Sequence, residues 1–421
     1  MENGVVFICY PDLDFLLERI PLTTRDILSR RTLLALTAET EDYVSKDTDE
    51  HELIEQLKRD NGLEKVYRFD IGKNSDGYSD LITGVLEEAD LAELCRQNLA
   101  DYPDNHYRLL RRRLADLHGL DPEWFVLSAG LESMIDHISR VFLQNGDAFL
   151  IPVPNFSVFA DFSIRVGGRP IYWPLEPEEN FQWTAGTIST LKDLISVHNP
   201  KLLWLSNPVN PTGQSLSLKW VEGLTAACAL QKTAVVVDEA YGEYTDTDRE
   251  VVSASRLTRK YENLMVLRTF SKIHALPSLR VGYLMCADRD ILKAASLYRP
   301  MFPFSWFSLF LAGIASIDEE HVQGARRKLL IRHERLYRQL ETLKTFSYLP
   351  SQTNTLMLRN AYLNATELWQ GLAQKGFLTA NLNRVNGLKG QNFLRMTVCS
   401  EEENNLFIHG CRQIEQELMA S

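Results

Sequence analysis

The chain has 421 residues, 45% hydrophobic and 24% charged, with a formal net charge of -11 at neutral pH. That is enough apolar material for a large domain and a smaller one, and no apolar run reaches the ~18–20 residues that cross a bilayer. The acidic balance argues against nucleic acid and anionic membranes as partners. Six scattered cysteines without CxxC spacing suggest neither a disulfide framework nor a metal site, so a cytoplasmic protein with reduced thiols is expected.

The first 65 residues read as an N-terminal extension. Its apolar patch, Val5-Val6-Phe7-Ile8, has neither the basic flank nor the cleavage site of a signal peptide. Residues 41–59 are dense in acid, and Leu53, Ile54 and Leu57 have helical spacing. An extra ordered helix on a subunit contact or over a site mouth is expected there, with a partly disordered arm as the alternative. Lys73-Asn74-Ser75-Asp76-Gly77-Tyr78 and Tyr102-Pro103-Asp104 are turn-rich. Arg108-Leu109-Leu110-Arg111-Arg112-Arg113 fits one face of an amphipathic helix, solvated or in a subunit contact.

From about residue 105 to 300, strands alternate with helical stretches, the pattern of a mostly parallel sheet with helices on both sides. Phe125-Val126-Leu127-Ser128 reads as a strand, followed by Ala129, Gly130, Leu131 and Glu132 at the head of a helical pattern. Residues 146–152 and 201–205 read as strands, as do the buried runs before Asp238 and Arg268. A long helix with a bend is expected from near Pro303 to Leu343. Residues 354–358 and 393–398 then alternate as strands and, with the intervening helix, make a smaller α+β domain. The expected division is 1–65, 66–300 with an arm over 66–104, and 301–421.

Four of these segments carry chemistry. Lys272 stands on a turn after an apolar strand, with Thr269 and Ser271 before it and Arg280 eight residues beyond. A lysine so placed can form a Schiff base, while hydroxyls and a guanidinium suit a phosphate; a solvated Ser-Lys loop is the plain alternative. Asp238 ends a strand at the edge where open α/β sheets bind ligands. It can pair with a protonated ring nitrogen or cap the next helix. Asn210, in Asn207-Pro208-Val209-Asn210-Pro211-Thr212-Gly213, can donate to a phenolate oxygen or shape a tight turn. Gly130 lets an anion approach free N–H groups at a helix N-terminus, or it marks an ordinary strand-to-helix turn.

Taken in this order, the segments resemble the class I/II aminotransferases, fold-type I pyridoxal 5'-phosphate enzymes, from roughly Tyr67 to the C-terminus. Tyr102-Pro103-Asp104, Asn207 to Gly213, Asp238-Glu239-Ala240-Tyr241 and Leu394-Arg395-Met396-Thr397-Val398 are similar to the histidinol-phosphate aminotransferase and threonine-phosphate decarboxylase branch. The resemblance implies an aspartate aminotransferase-like α/β large domain, a small C-terminal domain and a homodimer with shared sites. It implies that Lys272 forms the Schiff base and moves the Cα proton, and that Asp238 keeps the pyridine nitrogen protonated. Asn210 and Tyr241 would bond the phenolic oxygen. Ser271, Arg280, Thr269 and the amides of Leu131 and Glu132 behind Gly130 would hold the phosphate, with Tyr102 reaching in from the neighbouring subunit. Phe156 would stack on the ring, although a core aromatic is its plain reading. Arg395 would take the substrate α-carboxylate, assisted by Asn354, with Tyr78 near the substrate.

The sequence departs from that pattern around the substrate. Ala275-Leu276-Pro277-Ser278-Leu279 replaces a glycine-rich link, and proline stiffens it. His274 reads as a solvated loop histidine, with a proton relay as the sharper alternative. Leu131-Glu132-Ser133 and the 73–78 loop are also altered. Transamination is the expected reaction, with a lyase, decarboxylase, cyclase or replacement enzyme as the second reading and a non-catalytic cofactor-binding partner as the third. For the substrate side chain, Arg299, Arg384 or Lys73 would suit a phosphate, and Tyr78, Phe302 or Trp306 an aromatic.

Overall fold

In the computed structural model, Thr32 and residues 49–245 and 252–420 are described; the Val5–Ile8 patch and the acidic stretch 41–48 lie outside them. The extension's helix is α1 (Glu50–Asn61), started by Asp49, whose carboxylate accepts the N–H groups of His51 and Glu52. Its apolar stripe, Leu53, Ile54 and Leu57, packs on Val66, Ala373 and Leu378.

The chain continues through β1 (Tyr67–Arg68), α2 (Asp80–Glu88), α3 (Leu91–Asn98) and α4 (Arg108–His118) to β2 (Phe125–Ser128). The α/β body follows as α5 (Leu131–Phe142), β3 (Ala148–Val153), α6 (Val158–Arg165), β4 (Arg169–Pro174), α7 (Ala185–His198), β5 (Leu202–Ser206), α8 (Leu218–Leu230), β6 (Ala234–Asp238), β7 (Leu264–Thr269) and β8 (Gly282–Met285). The sheet order is β2-β8-β7-β6-β5-β3-β4, parallel throughout except that β8 runs antiparallel to both neighbours. Every residue of β5, β6 and β7 is buried. Val235, Val237 and Val266 face one apolar layer, while Val236, Met265 and Leu267 face the other. Helices therefore cover both faces, which is why these strands are apolar without alternation.

Beyond α9 (Arg289–Leu297), α10 (Trp306–Ala315) and α11 (Glu319–Leu340) replace the single long helix expected. Asp318 breaks it by capping α11, accepting the His321 N–H at 3.0 Å and the Ser79 hydroxyl. A four-stranded antiparallel sheet of order β12-β13-β10-β9 follows, built from β9 (Phe346–Leu349), β10 (Thr355–Asn360), β12 (Ala380–Asn381) and β13 (Leu394–Thr397). Helices α12 (Ala365–Gln374) and α13 (Glu401–Ala420) accompany it, and β11 (Phe377–Leu378) pairs in parallel with β1. Residues 67–70 thus run along the C-terminal body despite preceding the large sheet in sequence.

The arginine run in α4 is not one solvated face. Arg108 and Arg112 are exposed, but Arg111 donates to the Pro122 carbonyl at 2.8 Å and Arg113 to the Gly313 carbonyl. Guanidiniums that reach orphaned loop and helix-end carbonyls are tethers, a use that periodicity alone does not reveal.

Candidate active site

The C-terminal ends of β5, β6 and β7 open onto one cavity of about 640 Å³. Its lining includes Leu131, Glu132, Phe156, Asn210, Asp238, Tyr241, Thr269, Ser271, Lys272, Arg280 and Arg395, all named from sequence. Asp238, the last residue of β6, is 5% exposed and accepts the Ala240 N–H at 2.8 Å. Burial pushes its carboxyl up to about 7, against the pull of the Ala240 N–H and the Lys272 charge, with Glu239 adding to the rise. Lys272 Nζ lies 5.0 Å from the centre of the Tyr241 ring. Burial works to raise the Tyr241 phenol, but the Lys272 and Arg395 charges and a Lys272 hydrogen bond outweigh it, so the phenol sits below its ordinary value.

Behind this pair, Arg268 of β7 is buried against Glu239 at 2.7 Å and Glu243 at 2.9 Å. Glu239 also accepts the Ala254 N–H at 2.6 Å. The ends of β6 and β7, and with them Asp238 and Lys272, are held by these buried charge pairs.

At the other end of the cavity, Gly130 precedes the α5 N-terminus with φ +81°, and a Cβ there would collide with the Arg280 guanidinium. Thr269 donates to the Ser271 hydroxyl at 2.9 Å and accepts the Ser271 N–H at 3.1 Å. Thr269 therefore shapes the Ser271 turn. Free amides at a helix start, a hydroxyl and a guanidinium form a cradle for a phosphate.

Arg395 of β13 is 2% exposed; it donates to the Asn210 side-chain oxygen at 2.8 Å and to the Asp70 carbonyl at 2.5 Å. With its oxygen so engaged, the Asn210 amide is left as a donor toward the cavity. Phe156 is half-buried, edge-on to Phe159 at 5.6 Å, and its loop is pinned by Asn155, which accepts from the Phe156 N–H and the Ser206 hydroxyl.

Gly72 was not legible in advance. At φ +62° its ideal Cβ would stand 2.9 Å from the Tyr241 hydroxyl and 3.6 Å from Lys272 Nζ, so the chain can roof these groups only as glycine. Asn354 donates to the carbonyls of Gly72 at 3.2 Å and Lys73 at 2.9 Å, which uses both amide hydrogens. It holds the roof and has no N–H left over for a substrate carboxylate. Tyr78 is 47% exposed and Tyr102 79% exposed; neither lines the cavity, and Tyr102 stacks on Phe302 with ring centres 4.4 Å apart.

His274 is corrected outright. It is buried, not solvated, with its ring 5.0 Å from that of Phe270, and burial and the nearby His321 and Arg268 charges push it down to about 3. It is a neutral packing residue, selected by the Phe270–Leu276 turn folding inward.

A half-buried lysine, a buried carboxylate at a strand end and an anion cradle around one cavity define a cofactor-dependent enzyme with the aspartate aminotransferase-like fold. Residues 64–410 match the family model of aminotransferase class I and II, and the chain belongs to that family. Its cofactor is pyridoxal 5'-phosphate, and the residues present fit that group: an anion cradle that a Cβ at Gly130 would obstruct, and a buried carboxyl for a ring nitrogen.

A histidinol-phosphate aminotransferase from Ruminiclostridium cellulolyticum is 29% identical over 73% of this chain and 82% of its own length. The histidinol-phosphate aminotransferase of Sinorhizobium meliloti, solved in complex with pyridoxal-5'-phosphate, superposes with a TM-score of 0.73 at 19% identity, covering 89% of this chain and 99% of that one. The L-threonine-O-3-phosphate decarboxylase of Porphyromonas gingivalis gives 0.70 at 21% identity, over 83% and 100%. No helix among the described residues is long and apolar enough to cross a membrane.

The high Asp238 value makes one prediction. A carboxyl raised by folding stabilises the fold fully below its unfolded value near 3.8 and loses that contribution as pH climbs to about 7. The loss is on the order of 4 kcal/mol. Cofactor-stripped protein should therefore melt at lower temperature at pH 8 than at pH 5, and Asp238→Asn should flatten that dependence. Thermal melts across this range check it; an unaltered slope in the variant would assign the effect elsewhere.

Proposed function

We propose that the chain transfers the α-amino group of an amino acid to a 2-oxo acid as a cytoplasmic homodimer, using Lys272 as the reactive amine. The observation that carries this is the convergence of Lys272, Asp238, Tyr241, Arg280 and Arg395 on a single cavity. Bound there, pyridoxal phosphate supplies an aldehyde carbon for an amino nitrogen and an electron-withdrawing ring that stabilises negative charge at the substrate Cα.

The protein's own residues do the rest. The Lys272 amine would hold the cofactor through its aldehyde carbon with loss of water and, when freed by the substrate's amino group, would take the Cα proton as base and return it as acid. Asp238, ionised when it accepts a ring N–H, turns its buried charge into a pair. Tyr241 and the Asn210 amide donate to the ring's phenolic oxygen. Arg280, Ser271 and the N–H groups of Leu131 and Glu132 hold the phosphate, with Thr269 ordering Ser271. Phe156 covers a ring face. Tyr102, projecting with Phe302, fits a role in the partner subunit's phosphate site. Arg395 forks onto the substrate α-carboxylate, and Asn354 acts on that end through the Gly72 roof.

The test follows the amino nitrogen. Holoenzyme given a panel of 15N-labelled amino acids and a 2-oxo acid acceptor should yield a labelled new amino acid and the donor's 2-oxo acid. Carbon dioxide or a cyclised product with no transferred label would overturn transamination.

A further inference from the structure

The substrate side chain is the part of the reaction that the family does not fix. Once Lys272, Arg280 and Arg395 are assigned, no arginine or lysine remains in the cavity lining among the described residues. The three cations that would have suited a substrate phosphate are all elsewhere. Arg299 lines a separate cavity, donating to the Tyr107 hydroxyl at 2.5 Å and the Asn105 carbonyl at 3.5 Å. Arg384 is exposed, and neither it nor Lys73 lines the active cavity.

Carboxylates take their place. Glu50, the first residue of α1, and Asp70 both line the cavity beside Ile71. They lie at the Arg395 end, because the Asp70 carbonyl accepts from Arg395 at 2.5 Å. One guanidinium serves both: Arg68 donates to Glu50 at 3.0 Å and to the two oxygens of Asp70 at 2.8 Å each. Two negative charges thus share one positive charge. Each carboxylate offers about four acceptor positions, so most of that capacity is unspent. The buried Arg395 fork in the same cavity end is independent support for a ligand there, since it matches a substrate carboxylate.

We propose that the substrate is an amino acid whose side chain ends in a guanidinium or ammonium group, received by Glu50 and Asp70, with Glu50 a specificity-determining residue. This rests on the aminotransferase reading above. The extension that delivers Glu50 is held in place by the Leu53, Ile54 and Leu57 stripe, so the extra helix serves as one wall of the substrate site. A phosphorylated side chain would meet surplus negative charge there and be rejected.

The experiment is a titration of holoenzyme with arginine, lysine, their neutral counterparts citrulline and norleucine, histidinol phosphate and O-phosphothreonine. Cofactor absorbance gives Kd, and mass spectrometry gives the product. Arginine or lysine should bind about 10- to 100-fold more tightly than its neutral counterpart, the range of one charge-assisted pair. Glu50→Gln should bring that ratio toward one, and Asp70→Asn should lower it independently, with cofactor absorbance reporting an intact site in each. Preference for either phosphorylated amine, or an arginine-to-citrulline ratio unmoved by both variants, overturns the inference and leaves the aminotransferase reading standing. If no amino compound alters the absorbance, the parent reading falls and takes this one with it.

Discussion

Lys272→Ala turns over substrate at no more than about one ten-thousandth of the wild-type rate, the upper range for a lost proton-transfer group alone, and shows no absorbance from lysine-bound cofactor. In the proposed reaction the amine is both the covalent anchor and the group that carries the Cα proton, so the two readouts should fall together. The phosphate cradle of Arg280, Ser271 and the α5 amides does not depend on Nζ, so the variant should still take up cofactor as a free aldehyde. A variant that kept turnover would refute the assigned role, and one that lost cofactor altogether would mean that the lysine holds the site together. Absorbance spectra and single-turnover kinetics separate the cases.

Arg395→Ala lowers kcat/KM for amino acids by roughly 10²- to 10³-fold, as expected when one partner of a buried charge pair is cut back, while cofactor binding persists. The guanidinium is 2% exposed and anchored on Asn210 and the Asp70 carbonyl, so its fork is set before substrate arrives. Arg395→Lys should recover little, because an ammonium keeps the charge but cannot span two anchors and a bidentate carboxylate at once. Steady-state kinetics on the reconstituted variants check this. Equal loss against an amine lacking the α-carboxylate would show that Arg395 acts on the fold instead.

The residues that converge on the cavity were legible because most are carried by short motifs whose backbone is set by local rules: strand-end Asp238, the Asn-Pro turn with Asn210, Gly130 before a helix, and the Lys272 turn. The sheet was legible because strands buried on both faces need unbroken apolar runs. What escaped notice depends on chain segments far apart in sequence. Gly72 matters only because Tyr241 and Lys272 come up beneath it, and Glu50 only because Arg68 and the C-terminal sheet bring α1 to the cavity. His274 was misread because a polar residue in a turn looks solvated until the turn is seen to fold inward on Phe270. The break at Asp318 was missed because a side chain that caps a new helix looks, in sequence, like any surface acid in a long one.

The roof of the cavity belongs mechanically to the C-terminal body. β1 is hydrogen-bonded to β11, Thr397 donates to the Phe69 carbonyl at 2.8 Å, and Asn354 grips the 72–73 backbone, whereas Asp238, Lys272 and the phosphate cradle sit on the large sheet. The two halves meet through the jointed α10–α11 connection at 316–318. A rotation of the small sheet about that joint would lift Gly72, Asp70, Arg395 and Glu50 together, and it would part Arg395 from Asn210 on the large-sheet side. Opening the roof would thus free the Asn210 oxygen that Arg395 holds, which ties substrate entry to the orientation of the Asn210 amide.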